Sequence, residues 1–501
     1  DSSQNAAAQK NIDDPNPNPR QLTQDFPGFF NLDNKSASIT IEWETPIGVT
    51  IKSLTGYQEL EKRQSVDGDR LTEATVAIDR LGFFSFDNWD VLPFWDNDSE
   101  AFSQEINATY SGEKLDWVAG FYYLDHDNFN DFLEATASAP FSASAAALAN
   151  PTVANLPPFA SALNFNETRT VSREDIAVYA QGTYRFTDMF ALTAGLRFQD
   201  EKQRDFGEQF FGIFGPFDRD TNDSKLTWKV GIDVNLTEDN MIYGLVSTGW
   251  KNGGTNPGAI TGGAMFLDAA FEPEEVTSYE IGSRNTFMDG RLRLNVTAFY
   301  YDHENLQYIF EDPVPFGGGT NTIPKLEEYG IETEFGFQMA EDWRLDGMFA
   351  WQDGKFKGDT FALDPIDFRE ALGPGVGLFT GGGFTTRMTL ATTTNLNGNK
   401  PPKLPSIMAR LGLTNNYAFS DGSVLSSRLE YIHRGKMQAR VFNNPLFDRV
   451  PSYDVVNLNF AYDMANQPLT FNLVISNVFD EDGINNVFSN PFGIWSTSNE
   501  Y

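Results

Sequence analysis

The sequence predicts an all-β fold, a transmembrane antiparallel β-barrel, and three observations support this fold class. Apolar and polar residues alternate over many segments that are long enough to cross a bilayer as tilted strands. Short polar turns join these segments at one end, and long irregular connections join them at the other. The composition combines 14% aromatic residues and 42 glycines with 21% charged residues, as expected for strands that are apolar on one face only.

The clearest alternation lies in residues 226–237, where six apolar residues alternate with six polar or small ones. A period of two means that one face of the strand is apolar and the other is polar. The turn Glu238-Asp-Asn240 follows, and a second alternating segment runs from Met241 toward Trp250. The unit is therefore a β-hairpin. The same pattern recurs at about eight turns, which predicts about 16 strands in this chain.

The connections between the strands fall into two classes. Short turns lie near residues 45–48, 111–114, 187–188, 238–240, 288–290, 341–342, 420–422 and 465–466. Long connections span residues 64–98, 128–169, 206–222, 252–272, 311–322, 358–402 and 441–451. Outer-membrane barrels have short turns in the periplasm and long loops outside the cell. The two classes therefore predict which end of each strand faces outward.

Within the strands, alternation separates a lipid face from a lumen face. Leu292, Leu294 and Val296 alternate with Arg293 and Asn295. Arg293 must face the lumen, since a charge facing mid-bilayer lipid costs about 2–4 kcal/mol. Aromatic residues near strand ends suit the girdles at the two membrane interfaces; they include Trp43, Tyr122, Tyr123, Tyr300, Tyr301 and Tyr462.

Several other classes are disfavoured by composition. No window approaches the roughly 18 to 20 consecutive apolar residues of a helical membrane span. The chain has no cysteine, so disulfides and thiolate metal sites are excluded. The net charge of −34 argues against a nucleic-acid partner, whose phosphates require a basic surface. The same charge suits a cationic ligand, or it simply keeps large acidic loops soluble.

Three separated motifs occur in one order along the chain. They are Trp250-Lys-Asn-Gly-Gly254, Tyr279-Glu-Ile-Gly282 and Asp289-Gly-Arg-Leu-Arg-Leu-Asn295, with weaker echoes in residues 329–334 and 472–480. This order resembles the barrel pattern of TonB-dependent receptors. On physical grounds, Gly253 and Gly254 let the chain leave its strand in a conformation that a side chain would forbid, and Asp289-Gly290 is a tight-hairpin dipeptide.

The resemblance implies an incomplete barrel. Barrels of this family have about 22 strands and hold an N-terminal plug. We therefore expect residues 1–501 to be a barrel domain without the plug, the first strands and the final strand. The resemblance also implies a location in the bacterial outer membrane. It implies TonB-dependent import of a scarce nutrient, first a ferric siderophore or other iron complex, otherwise haem, a cobalamin or an oligosaccharide.

The same resemblance implies a set of partners. These are outer-membrane lipid and lipopolysaccharide, the nutrient ligand, and TonB-ExbB-ExbD through the missing plug segment, with no nucleic acid and no cofactor. Neither the resemblance nor the residues imply an enzyme, because no catalytic pairing of nucleophile and base can be identified. The main alternative is a passive porin, because about 16 strands could close by themselves around an aqueous channel. A plug before residue 1 would distinguish the two.

Candidate ligand contacts come from aromatic residues in the long connections. They are Trp89, Phe94 and Trp95 in one loop, Phe210 and Phe211 in another, and Trp250 with Lys251 at the top of a strand. Exposed aromatic clusters suit stacking on a catecholate, a porphyrin or a sugar, although packing of one loop on another explains them equally well. His126, His303 and His433 lie at similar distances past short turns. They are weak metal-ligand candidates, because they belong to different hairpins.

Overall fold

In this computed structural model the structure describes residues 28–65, 90–137, 165–209, 216–256, 270–311, 318–362, 364, 394–446, 448–490 and 493–499. These residues form 24 strands. The strands are β1 (Phe29–Glu44), β2 (Val49–Ser65), β3 (Asp90–Ser111), β4 (Leu115–Ala137), β5 (Phe165–Arg185), β6 (Phe190–Gln209), β7 (Pro216–Thr237), β8 (Asn240–Lys251), β9 (Gly254–Thr255), β10 (Ala270–Phe271), β11 (Glu274–Phe287), β12 (Leu292–Glu311), β13 (Gly318–Ala340), β14 (Trp343–Lys357), β15 (Phe361–Ala362), β16 (Thr394–Asn395), β17 (Ile407–Ala418), β18 (Val424–Arg434), β19 (Met437–Gln438), β20 (Arg449–Val450), β21 (Tyr453–Asp463), β22 (Thr470–Ile475), β23 (Gly483–Asn490) and β24 (Gly493–Asn499).

Sixteen of these strands form one antiparallel, barrel-like sheet, which confirms the predicted fold class. Its order is β1-β2-β3-β4-β5-β6-β7-β8-β11-β12-β13-β14-β17-β18-β21-β22. Each long strand therefore pairs with its neighbours in the chain. The remaining strands form four small two-stranded sheets. Within the described part of the chain, β1 and β22 pair on one edge only.

The hairpin turns lie where the sequence places them. Turns at residues 45–48, 238–239 and 341–342 join paired strands, as predicted. In the turn between β11 and β12, Met288, Asp289 and Gly290 have φ values of 56°, 55° and 85°. This left-handed backbone is the conformation that the Asp-Gly dipeptide favours.

The outer face of the sheet is apolar and exposed. Leu226, Trp228, Val230 and Ile232 of β7 all point to this face. Aromatic side chains on it form two rings. The outer aromatic ring includes Tyr57, Phe102, Tyr279, Tyr300, Tyr329, Trp351 and Tyr431, and the periplasmic ring includes Trp43, Tyr184, Phe186, Trp343, Tyr417 and Phe471. Such rings mark the two interfaces of a bilayer.

Two predicted girdle residues face the lumen instead. The Arg197 guanidinium lies over the Tyr122 ring at 5.7 Å and over the inward Tyr179 ring at 5.8 Å. Tyr301 stacks on Phe299, with ring centroids 4.8 Å apart. Tyr122 directly precedes the girdle residue Tyr123, and Tyr301 directly follows the girdle residue Tyr300. Neighbouring residues of a strand point to opposite faces, so the prediction was wrong for Tyr122 and Tyr301.

The strands run much farther outward than predicted. Residues 94 and 95 were placed in a loop, but they lie on β3, which begins at Asp90 and pairs with β4 up to Ala137. Above the membrane both faces of a strand are wet, so the apolar alternation that reveals strands disappears. Backbone pairing continues there without that signal.

A small apolar core lies at the outer end of the barrel, on the inner side of β12 to β14. Ile323, Phe356, Leu396 and Val441 are fully buried in it. The segments around Leu396 and Val441 therefore fold inward over the mouth of the barrel. In the described ranges no helix is long and apolar enough to span a membrane.

Candidate functional site

After β8 the chain leaves the wall and crosses toward the lumen through residues 252–256, called the strap below. Gly253 and Gly254 make this departure possible, but through close contact and not through unusual backbone angles. A Cβ on Gly253 would lie 2.6 Å from the Phe271 carbonyl oxygen, and one on Gly254 would lie 2.5 Å from the Phe271 ring. Neither glycine has a positive φ. The prediction that a side chain would be forbidden at these two positions is therefore confirmed, and close contact is the reason.

A buried ion pair holds the strap against the inner wall. Arg169 on β5 donates to both carboxylate oxygens of Asp205 on β6, each at 2.7 Å. The Thr255 hydroxyl donates to Asp205, and Arg169 also donates to the Thr255 carbonyl at 3.3 Å. Arg169, Asp205 and Thr255 are called the clamp below. Burial works against the charge of Arg169, but Asp205 raises the Arg169 pKa above its ordinary value.

The far end of the strap is fixed to β13. The Asn256 amide donates to the Thr320 carbonyl at 2.8 Å, and its oxygen accepts from the Thr320 N–H at 2.7 Å. The side chain thus replaces a backbone partner in a β-bridge. Arg219 on β7 donates to the Asn256 carbonyl. The strap therefore spans from β7 to β13 across one side of the mouth.

A cavity of about 450 Å³ lies beside the strap. Its polar lining includes Arg173, Glu201, Lys251 and Gln307, and its apolar lining includes Trp250, Phe271 and Ile309. Aromatic and aliphatic walls with a few polar groups are typical of small-molecule sites. This mouth cavity is the candidate functional site.

Charged and polar groups in the cavity form ion pairs and hydrogen bonds with one another. Arg173 pairs with Glu201 at 2.6 Å, and the Asn252 amide donates to the same carboxylate at 2.7 Å. Burial raises the pKa of Glu201 above its ordinary value, although Arg173 and Asn252 oppose the shift. The Lys251 side chain is exposed at the rim, opposite Glu274 in the ladder. The cavity thus exposes Lys251 and aromatic side chains, and on its polar wall the charges of Arg173 and Glu201 balance each other.

Glu274 links the cavity to His303. The Gln307 N–H donates to Glu274 at 2.9 Å, and His303 Nδ1 lies 3.8 Å from the other carboxylate oxygen. That second distance is too long for a hydrogen bond. Burial alone would raise the pKa of Glu274, but the nearby His303, the Gln307 N–H and Lys251 hold it below its ordinary value.

The structure separates the predicted ligand contacts into groups. Trp250 and Lys251 line the mouth cavity. Phe94 is 5% exposed, so the prediction that it is exposed was wrong, because it lies on β3 between Ser65 of β2 and Leu133 of β4, which are buried as well. Trp95 packs against Phe132, with centroids 5.4 Å apart. Trp89, Phe210 and Phe211 lie outside the described residues.

The three histidines lie on three strands and make separate contacts. His126 Nε2 lies 2.9 Å from the Ser99 hydroxyl, and His433 Nδ1 lies 2.8 Å from Asp454. His303 contacts Glu274, as described above. Among the described residues no group of three or more histidine, aspartate or glutamate side chains could hold a metal ion. The structure therefore does not bring the histidines together.

Sequence reasoning missed the clamp and the Arg173–Glu201 pair. The four charged residues Arg169, Arg173, Glu201 and Asp205 lie on inward positions of β5 and β6, beyond the outer aromatic ring. Counting the alternation outward from Val178 and Phe198 would have placed these charges on one wall. Their partners on the strap could not have been found that way, because residues 252–256 follow no strand periodicity.

Comparisons with known proteins agree with this architecture. A family model described as TonB dependent receptor-like, beta-barrel matches residues 1–478. The pesticin receptor of Yersinia pestis is 28% identical over 184 residues, which are 36% of this chain and 26% of that receptor. The metal-pseudopaline receptor CntO of Pseudomonas aeruginosa is 28% identical over 186 residues, which are 33% of this chain and 24% of that receptor.

A solved structure with a similar fold is the ferric yersiniabactin uptake receptor FyuA from Yersinia pestis. It superposes with a TM-score of 0.67 at 17% identity and covers 94% of this chain and 60% of that chain. The chain spans about a quarter of the curated relatives it matches. The similarity is therefore to the barrel portion of longer proteins.

Proposed function

Because this chain belongs to the TonB-dependent receptor-like β-barrel family, we propose that the whole protein imports a scarce metal chelate actively. The family sits in the bacterial outer membrane, and this chain is a multi-pass β-barrel of that membrane. Its relatives are receptors and transporters and not enzymes. The observation that carries the proposal is the family match over residues 1–478.

The substrate class is proposed from the relatives and from the mouth cavity. The relatives are named as receptors for pesticin, for metal-pseudopaline and for siderophores. An iron complex, first a ferric siderophore, is the proposed cargo; haem, a cobalamin or an oligosaccharide are the alternatives. Trp250 and Phe271 offer aromatic surface for the organic part of a chelate, and Lys251 offers a charge for its acidic groups.

The site residues are proposed at the mouth of the barrel. Trp250 and Lys251 are the main candidates, since both line the cavity. Trp89, Trp95, Phe210 and Phe211 remain predictions for loop contacts. Phe94 is no longer a candidate, because it is buried.

Closure of the barrel and its energy source complete the proposal. In the described part of the chain, the edges β1 and β22 carry unpaired backbone groups, and such edges are not tolerated in hydrocarbon. We therefore propose that further strands of the full protein close the barrel and that a plug fills its lumen. TonB-ExbB-ExbD would act on that plug. Lipid and lipopolysaccharide surround the outer face.

The family match favours active import over the alternative of a passive porin, and one uptake experiment separates them. Cells that carry the full-length protein as their only receptor are supplied with radiolabelled ferric chelates, with and without a functional tonB gene. Active import predicts accumulation only when TonB is present. Entry that is equal in both strains and not saturable would support the porin and contradict the proposal.

A further inference from the structure

The hairpin formed by β8 and β11 is interrupted at the rim of the barrel. Its last pair is Lys251 with Glu274, and the short strands β9 and β10 resume the same register farther along the two chains. Between these pairs, residues 252–253 and 272–273 belong to no strand. These four residues are called the neck below. The chain therefore leaves the barrel wall and rejoins it through the neck.

Pro273 weakens the ladder at the neck. Counting along the shared register places Asn252 opposite Pro273. Proline has no N–H group, so it cannot donate a hydrogen bond across the ladder. A carbonyl that loses its donor on folding costs free energy unless another group supplies one. A donor from outside the hairpin therefore stabilises the neck.

The side chain of Gln307 on β12 supplies such a donor. Its Nε2 donates to the Asn252 carbonyl at 2.6 Å and to the Glu272 carbonyl at 3.2 Å. One amide group thus joins the two sides of the neck. The Gln307 backbone is itself fixed, because its N–H donates to the Glu274 carboxylate at 2.9 Å. Gln307 therefore connects β12 with both sides of the neck.

The two neck carbonyls lie directly beside the side chains that are proposed to contact the cargo. Trp250 and Lys251 immediately precede one of these carbonyls in the chain, and Phe271 immediately precedes the other. All three side chains line the mouth cavity. A shift of either carbonyl would move the adjoining side chains with the backbone. The distance between Trp250 and Phe271 across the cavity therefore depends on the neck.

We propose that Gln307 is a positioning residue of the mouth cavity and holds Trp250 and Lys251 in a fixed arrangement with Phe271. The inference rests on the proposed function, because it concerns the side chains that are proposed to contact the ferric chelate. It assigns to Gln307 an effect on binding that acts through its neighbours. Side chains that are already ordered bind more tightly, because less conformational freedom is lost when the ligand arrives.

The periplasmic end of the barrel supplies a matched control. Gln338 on β13 also donates from its Nε2 to two carbonyls, those of Ala340 at 2.8 Å and Glu341 at 3.1 Å. Methionine is close to glutamine in size and has no N–H donor. Gln307→Met and Gln338→Met therefore remove the same two kinds of hydrogen bond, one pair beside the cavity and one pair at the opposite end of the barrel.

The first readout is the environment of Trp250, which can be measured without any cargo. The full-length protein is labelled with 5-fluorotryptophan, and the fluorine NMR signal that disappears in Trp250→Phe belongs to Trp250. Gln307→Met should shift or broaden this signal, because the neighbouring carbonyl is released. Gln307→Glu keeps the size and polarity of the side chain but has no donor at neutral pH, and it should have the same effect. Gln338→Met should leave the signal unchanged.

The second readout is TonB-dependent uptake of radiolabelled iron bound to 2,3-dihydroxybenzoate, a chelator with an aromatic ring and an acidic group. Gln307→Met should raise the half-saturation concentration by about fivefold, as expected for the loss of about one net hydrogen bond. The maximal uptake rate should stay close to that of the unmodified protein. Gln338→Met should change neither quantity.

A Trp250 signal that is unchanged in both Gln307 variants, or that is equally disturbed in Gln338→Met, would overturn the inference. An unchanged half-saturation concentration in Gln307→Met would also overturn it if Trp250→Phe raises that concentration. If the unmodified protein takes up none of this iron while the Trp250 signal moves as expected, the positioning role of Gln307 stands and the proposed import of such a chelate fails instead.

Discussion

Removing the carboxylate of Asp205 is expected to release the strap from the inner wall of the barrel. Asp205 has 1% side-chain exposure, and its partner Arg169 has 24%. Asp205→Ala would leave the guanidinium half-buried without its bidentate partner and would remove the acceptor of the Thr255 hydroxyl. The far end of the strap is then tied to the wall by Asn256 and Arg219, and its near end by Asn252 to Glu201 and by the Gly253 N–H to Asp223.

The magnitude follows from the burial of the pair. Breaking a buried ion pair by removing one partner costs about 3–5 kcal/mol, and the lower end applies because Arg169 keeps some contact with water. A cost of about 3 kcal/mol shifts the equilibrium between a docked and a released strap by about a hundredfold. Thr255→Val removes one hydrogen bond and should cost about 1 kcal/mol. The long strand ladders are independent of the clamp, so the barrel itself should stay folded.

Hydrogen exchange of the full-length protein measures this effect locally. In the Asp205→Ala variant, amides of residues 252–256 should lose protection by about a hundredfold, while amides of β7 and β8 within the membrane keep theirs. The Thr255→Val variant serves as the graded control, with a smaller loss at the same amides. Unchanged exchange of the strap in Asp205→Ala, or an equal loss of protection throughout the barrel, would refute the clamp.

Three further predictions test other parts of the site. Trp250→Ala and Lys251→Gln should each weaken binding of a ferric chelate, measured by fluorescence titration. The Lys251→Gln change should lower the affinity by no more than about fivefold, because the charge is exposed. If both variants bind with the affinity of the unmodified protein, these residues do not belong to the site. Gly253→Ala should destabilise the strap by about 1–3 kcal/mol through overpacking, whereas Gly244→Ala, with its nearest neighbour 3.9 Å away, should be tolerated; urea unfolding of both variants compares them. The pKa of Glu274 is lowered from 4.5 in the folded protein, so its stabilising contribution is complete above that pH and is lost as the pH falls through the lowered value. Glu274→Gln should therefore reduce the loss of unfolding free energy at acid pH. The same acid loss in the variant and the unmodified protein would argue against the contact.

The membrane-embedded half of the molecule could be predicted because the bilayer imposes a two-residue period on it. Leu226 to Ile232 alternate between lipid and lumen, and the structure pairs them as the pattern requires. The turns were predictable for a similar reason, since Asp289 and Gly290 are the residues that a left-handed turn tolerates. Each of these signals is local in sequence.

The candidate site depends on contacts that are not local. Asp205 and Thr255 are 50 residues apart, and Asn256 and Thr320 are 64 apart. Above the outer aromatic ring neither face of a strand meets lipid. The two-residue hydrophobic period that places Leu226 on the lipid face therefore does not predict whether Phe94 is exposed or buried. Trp250 and Lys251 were found only because they end a strand whose membrane part is clearly patterned.

The most direct test of the whole account concerns the surface that meets lipid. The chain has no cysteine, so single cysteines can be placed in turn at Leu226, Thr227, Trp228, Lys229 and Val230 of the full-length protein in bilayers. Each is labelled with a spin probe, and collisions with oxygen, which concentrates in hydrocarbon, are compared with collisions with a water-soluble nickel complex. The account predicts high oxygen access at positions 226, 228 and 230 and low access at 227 and 229. Oxygen access that shows no two-residue period, or nickel access that is highest at the apolar positions, would contradict it.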